Sequence, residues 1–204
     1  MPARGLRAEA VVIALALLTI GACAKKENNA ADSTAASSTV TAIDTGMAPS
    51  TSAASPGLSD ANIAWILDAA NVSDSTWGAV AGTKGTSAQV RDFGKKMARD
   101  HHALRAQGLD LAKKLGITPT PAANDSSLAV LQHANDMLNN TPKGRDFDKA
   151  YIDHEVDYHK TVLQAATTAM ATAQNAELKN LIQKAAPLLQ AHLDLAEKIQ
   201  KNIK

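Results

Sequence analysis

The chain has 204 residues with 21 Lys and Arg against 20 Asp and Glu, so no basic surplus marks it for nucleic acid. It is 45% hydrophobic but only 3% aromatic, and Ala and Leu dominate, which favours close-packed helices over a β-sandwich. The single cysteine is Cys23, near the N-terminus, so disulfides, thiolate metal sites and cysteine nucleophiles are excluded from the rest of the chain.

The first element is an export signal. Arg4 and Arg7 precede an apolar run, Ala10 to Ile20, that is too short to span a bilayer as a stable helix. Ile20-Gly21-Ala22-Cys23 comes next and resembles a bacterial lipobox, in which small residues admit the signal peptidase and the cysteine sulfur takes the lipid. Residues 1–22 are therefore expected to be a cleaved signal peptide and Cys23 the lipidated residue, which places the protein in the bacterial envelope, membrane-anchored through its lipid. Ala24 in place of Asp favours the outer membrane, with the domain facing the periplasm. Arg4, Arg7 and Glu9 lie in the signal, so the remaining chain carries equal numbers of each charge.

Residues 23–57 are rich in Ser, Thr and Ala and nearly devoid of large apolar side chains. Such a segment buries too little to offset the entropy of ordering and is expected to be a disordered tether. As a coil of about 35 residues it would hold the C-terminal part of the chain on the order of 30 Å from the bilayer.

Residues 58–204 read as one helical domain. Ser59 is a candidate N-cap for a first helix whose apolar face includes Ile63, Ile66, Leu67, Ala70 and Trp77, and which Gly82 and Gly85 end. Ser87 opens a second helix with a stripe of Val90, Phe93, Met97, Leu104 and Leu111, stopped at Gly116 to Pro119. Asn124 or Asp125 starts a short third helix. Thr141-Pro142 fits the cap and first position of a fourth, running from about Lys143 to Ala173. Asn175 starts a fifth, with Leu178, Ile182, Leu189 and Ile199 inward and Pro187 expected to kink it. Four long amphipathic helices and one short one predict an all-α, antiparallel four-helix bundle with an additional short helix.

Five polar side chains fall on apolar faces when the stripes are projected at helical spacing. Asp74 lies between Ala70 and Trp77, His101 between Met97 and Leu104, Glu155 and His159 between Tyr151 and Val162, and His192 between Leu188 and Ala196. Their levels also approach one another. From a turn near Gly85, Asp74 stands about 16 Å and His101 about 24 Å along the bundle. From a turn near Gln174, His159, His192 and Glu155 stand about 22, 27 and 28 Å along it. Two carboxylates and three imidazoles are suitable ligands for Zn, Fe or Mn. The competing reading is that Asp–His and Glu–His pairs satisfy each other in the core.

Val90-Arg91-Asp92-Phe93 with Met97 and Asp100-His101, then Phe147-Asp148, Tyr151-Ile152-Asp153-His154-Glu155 and His159, then Asn175-Ala176-Glu177-Leu178-Lys179 with Pro187 and His192-Leu193 resemble one pattern. It is that of a bacterial family of ferritin-like envelope domains, domain of unknown function 4142, and it spans about residues 58–202. The resemblance implies a ferritin-like four-helix fold in the envelope and supplies no activity. Di-iron carboxylate bundles use Glu-x-x-His motifs. None occurs here, since Glu155 and His159 are four apart, so a mononuclear site is expected rather than a complete ferroxidase centre. The favoured reading is a non-enzymatic envelope domain that binds a metal ion or small ligand, or contacts another envelope component. An oxidase- or catalase-like redox metalloenzyme and a purely structural interaction module are the alternatives.

Overall fold

A computed structural model describes residues 57–203. Cys23, the signal peptide and all of the tether except Gly57 lie outside the described residues. Those residues form five α-helices and, among themselves, no strand: α1 (Asp60–Lys84), α2 (Ala88–Lys114), α3 (Ser127–Asn140), α4 (Arg145–Thr172) and α5 (Ala176–Asn202). None is long and apolar enough to cross a membrane.

The helices pair as two hairpins. Gly85, Thr86 and Ser87 alone join α1 to α2, and Ala173, Gln174 and Asn175 alone join α4 to α5. Short turns of this kind force antiparallel neighbours. The hairpins meet where α1 packs on α4 and α2 on α5, and α3 packs against both α1 and α4. Gly78 and Gly94 let α1 and α2 approach closely. A Cβ at Gly78 would stand 2.6 Å from the Gly94 carbonyl oxygen, and one at Gly94 would stand 2.7 Å from that of Gly78.

Each hairpin ties down the turn of the other. Asp148 at the start of α4 accepts from the Thr86 and Ser87 backbone N–H groups at 2.8 and 2.7 Å, and from the Thr86 hydroxyl at 2.6 Å. Asp60 at the start of α1 accepts from the Gln174 and Asn175 N–H groups at 2.8 and 3.0 Å. These carboxylates satisfy donors that helix starts leave without intrahelical partners. Closer to home, Ser59 and Asn62 form a capping box on α1, and Asn175 caps α5. Lys84 donates to the Leu138 and Asn139 carbonyls at the end of α3, where a cation also suits the helix dipole.

Several boundaries differ from the sequence expectation. Gly82 lies buried inside α1, which ends only at Gly85. The third helix begins at Ser127, because Asp125 accepts from its N–H and hydroxyl and so serves as a turn residue ahead of the helix. Thr141 closes α3 rather than capping α4, its hydroxyl donating to the Met137 carbonyl at 2.7 Å. As expected from the stripe that reaches Ile199, α5 runs on past Pro187.

Two apolar clusters fill the interior. One gathers Trp77, Phe93, Met97, Leu138, Phe147 and Tyr151 with parts of α5. The other gathers Ile63, Ala166, Ala169, Leu178 and Ile182. In sequence, buried Asp74 on α1, His159 on α4 and His192 on α5 fall between these clusters.

Candidate metal centre

Asp74, His101, Glu155, His159 and His192 are all buried, none exceeding 1% exposure. They come from α1, α2, α4 and α5, while the adjacent His102 and nearby Asp194 are exposed. The five resolve into two groups that share His159. In one, ring nitrogens of His101, His159 and His192 lie within 4.8 Å of each other; in the other, Asp74, Glu155 and His159 offer atoms within the same distance.

The imidazoles form a near-equilateral triangle, with ring centroids 5.5 Å apart for His101 and His159, 5.2 Å for His101 and His192, and 5.5 Å for His159 and His192. One nitrogen of each ring is engaged outward. His101 Nδ1 donates to Asn71 Oδ1, His159 Nδ1 donates to the Glu155 carbonyl, and His192 Nε2 donates to Asp100 Oδ2, each at 3.0 Å. The other nitrogens, His101 Nε2, His159 Nε2 and His192 Nδ1, are buried with no hydrogen-bond partner. An imidazole whose first nitrogen donates presents a lone pair on its second. Metal-binding histidines are oriented in this way by carbonyl and carboxylate partners. Asp100 is itself anchored by Lys96 at 2.5 Å and Arg99 at 3.0 Å.

The carboxylate group has a different character. All four oxygens of Asp74 and Glu155 are buried without hydrogen-bond partners, as is the Tyr151 hydroxyl. Their neighbouring basic groups are imidazoles: Glu155 Oε2 is 3.3 Å from His159 Nδ1, and Asp74 Oδ2 is 3.5 Å from His101 Nδ1. Isolated carboxylates are costly to bury, and titration reflects that cost. Burial, with the charge of Glu155 second, pushes the Asp74 carboxyl well above its ordinary range. Burial pushes the imidazoles down, to about 3 at His101 and about 4 at His192, where neighbouring imidazolium charge adds to the effect. His159 moves the other way: burial lowers it, but Asp74 and Glu155 together outweigh burial and raise it to about 9. Burial, again with Glu155 and Asp74, raises the Tyr151 phenol.

Helical projection of the sequence puts the five residues on inward faces, but its heights start from turns that lie at opposite ends of the bundle, and it does not find the groups that orient them. Asn71 is one turn before Ser75 on α1 and reads as an ordinary polar residue. Asp100 is visible in the sequence only as part of a motif beside His101, although its carboxylate serves His192 on another helix. The two tryptophans serve packing and capping: Trp65 donates to Asp125 at 3.0 Å, and Trp77 packs edge-on to His154 and Tyr158.

The molecule is thus a helical domain built around a buried cluster of imidazoles and carboxylates. The family profile described as domain of unknown function (DUF4142) matches residues 45–199, and the chain belongs to that family. No curated protein and no solved structure matches the chain.

Proposed function

We propose that this is a lipid-anchored bacterial envelope protein whose domain is a ferritin-like four-helix bundle holding one divalent transition-metal ion on His101, His159 and His192. The fold reading rests on two antiparallel hairpins joined by one long connection that carries α3, as in bundles with a single crossover. Anchoring rests on the lipobox-like Ile20-Gly21-Ala22-Cys23. Metal binding rests on one observation above all: three convergent imidazoles whose inner nitrogens are buried without a partner while their outer nitrogens are each fixed by a hydrogen bond. If the polar residues served only to satisfy each other in the core, those three nitrogens would find protein partners.

Charge favours a single ion. On binding, the His159 proton must leave, since only a neutral imidazole is a ligand. With the Asp74 carboxyl also giving up the proton that burial favours, Asp74 and Glu155 supply two negative charges against the two positive charges of the ion. A second divalent ion would leave an unbalanced charge in a buried site. Imidazoles suit Zn or Fe, and nearby carboxylates admit Mn; three protein ligands leave a coordination position for a further molecule.

The test is metal analysis of protein purified without chelator, then titration of Zn, Mn and Fe(II) into the chelator-treated protein. One equivalent should bind and raise the melting temperature in a concentration-dependent way. His192→Ala should abolish the increment. A wild-type melt indifferent to all three ions would defeat the metal reading. For the anchor, Cys23→Ala should end the uptake of labelled fatty acid, and unchanged labelling would exclude lipidation at that residue.

A further inference from the structure

An apolar pocket of about 50 Å³ lies among α1, α2 and α5, and His101 forms part of its wall. Its inner residues stand next to the proposed metal ligands along their helices: Val162 is one turn after His159, and Leu189 is one turn before His192. Asn71, which holds His101 Nδ1, also lines it. At the outer side Leu109 is 39% exposed.

The lining says what could occupy this space. Leu67, Leu104, Leu111, Leu178 and Ile182 supply apolar walls. The only charged residues present, Asp68 and Arg105, are paired with each other at 2.8 Å, so neither is free to receive an ionic ligand. The volume exceeds the roughly 10–15 Å³ that admits one water but falls well below the ~150 Å³ of a cavity that takes benzene, and apolar cavities tend to stay dry. Gly108 widens the same region. A Cβ there would meet nothing within 4 Å, although glycine inside a helix is less favourable than alanine.

We propose that this pocket admits a small neutral apolar molecule of two or three heavy atoms, the class to which dioxygen belongs, to the His101 side of the metal centre. The inference rests on the metal reading above and adds to it the kind of molecule that meets the ion. It favours such a molecule over a charged or strongly polar one, for which the walls offer no free partner.

Xenon is a suitable neutral apolar probe. In metal-free protein, xenon pressure should shift the methyl resonances of Leu104, Leu111 and Leu189 saturably. Leu104→Trp and Gly108→Leu, each filling the pocket from a different point on α2, should weaken that response at least tenfold in proteins that keep their helical circular dichroism. In Co²⁺-loaded protein, bound ¹²⁹Xe should relax faster than in the Zn-loaded form, because the pocket ends beside the ion. Absence of a saturable xenon shift, or shifts that survive in both filled variants, would overturn the pocket assignment. Xenon binding with no Co²⁺ effect on its relaxation would overturn the route to the metal while leaving the metal reading intact. Failure of Co²⁺ to bind would instead overturn the metal reading, and the route with it.

Discussion

The histidine triangle and the carboxylate pair share one residue and little else. Each imidazole has an outer partner and a free inner nitrogen, so the triangle is oriented before anything binds. Asp74 and Glu155 have no such partners, and their oxygens face each other and His159 across a buried space. The two sides divide the labour. The nitrogen side supplies geometry, whereas the oxygen side supplies charge, holding a proton nearby when no cation is present and balancing one when it is.

His159 belongs to both groups, so its loss should have the largest effect. His159→Ala is expected to abolish the metal-dependent rise in melting temperature and to destabilise the metal-free protein by about 3–5 kcal/mol, the range for removing one member of a buried charged pair. Denaturant unfolding with and without metal measures both. Loss of metal binding with unchanged metal-free stability would show that His159 does not hold the carboxylates.

The pH dependence separates the groups next. His159 is raised in the folded protein, so its contribution to metal-free stability is fully present below its unfolded value near 6.5 and is lost as pH rises through about 9. His101 and His192 are lowered, so their effect has the opposite sign: stability is retained above about 6.5 and falls as pH drops toward about 4 and 3. Metal-free protein should therefore melt highest between these limbs. Metal affinity should rise with pH up to about 9, as competition from the His159 proton fades, rather than levelling off near 6.5. A profile flat from pH 7 to 10 in both melt and affinity would contradict this.

Substitutions of smaller effect probe the two groups one at a time. Asp74→Asn keeps the triangle but removes one balancing charge, so metal affinity should fall about 10- to 100-fold, as for other groups that support ligands. The charge of Asp74 also helps to raise His159, so the alkaline loss of stability should move to lower pH. Asp100→Asn frees His192 without touching the carboxylates. It should weaken metal binding by about tenfold while leaving the alkaline limb in place. His102→Ala, on the exposed side of α2, should change neither quantity.

The inward polar residues were legible because helical periodicity alone decides which face a residue occupies, and rise per residue decides its level. Levels needed packing as well, since the heights of His101 and His192 start from turns that Asp148 and Asp60 hold at opposite ends of the bundle; periodicity settled only the faces. It could not separate the triangle from the carboxylate pair, since that depends on how α1 and α4 approach one another laterally. Asn71 and Asp100 escaped notice for a related reason. Their partners lie 30 and 92 residues away, and no local pattern encodes a hydrogen bond across helices. Gly82 illustrates the reverse failure: its local signal says stop, but it lies buried against Lys95 of α2, so tertiary packing overrides helix propensity. The all-helical outcome and the five-helix order needed only the stripes and caps.

The crossed carboxylates, Asp60 on the α4–α5 turn and Asp148 on the α1–α2 turn, bear on how the chain folds. Neither hairpin can complete its own turn, because the acceptor that closes it belongs to the other half. A fragment ending before α4 would leave the Thr86 and Ser87 donors to water, and a fragment beginning after α1 would do the same to Gln174 and Asn175. The two halves should therefore unfold as one cooperative unit. Separately expressed, they should recover their native melting behaviour only when mixed. The metal centre inherits this property, since its three imidazoles are drawn from both halves, His101 from the first and His159 and His192 from the second.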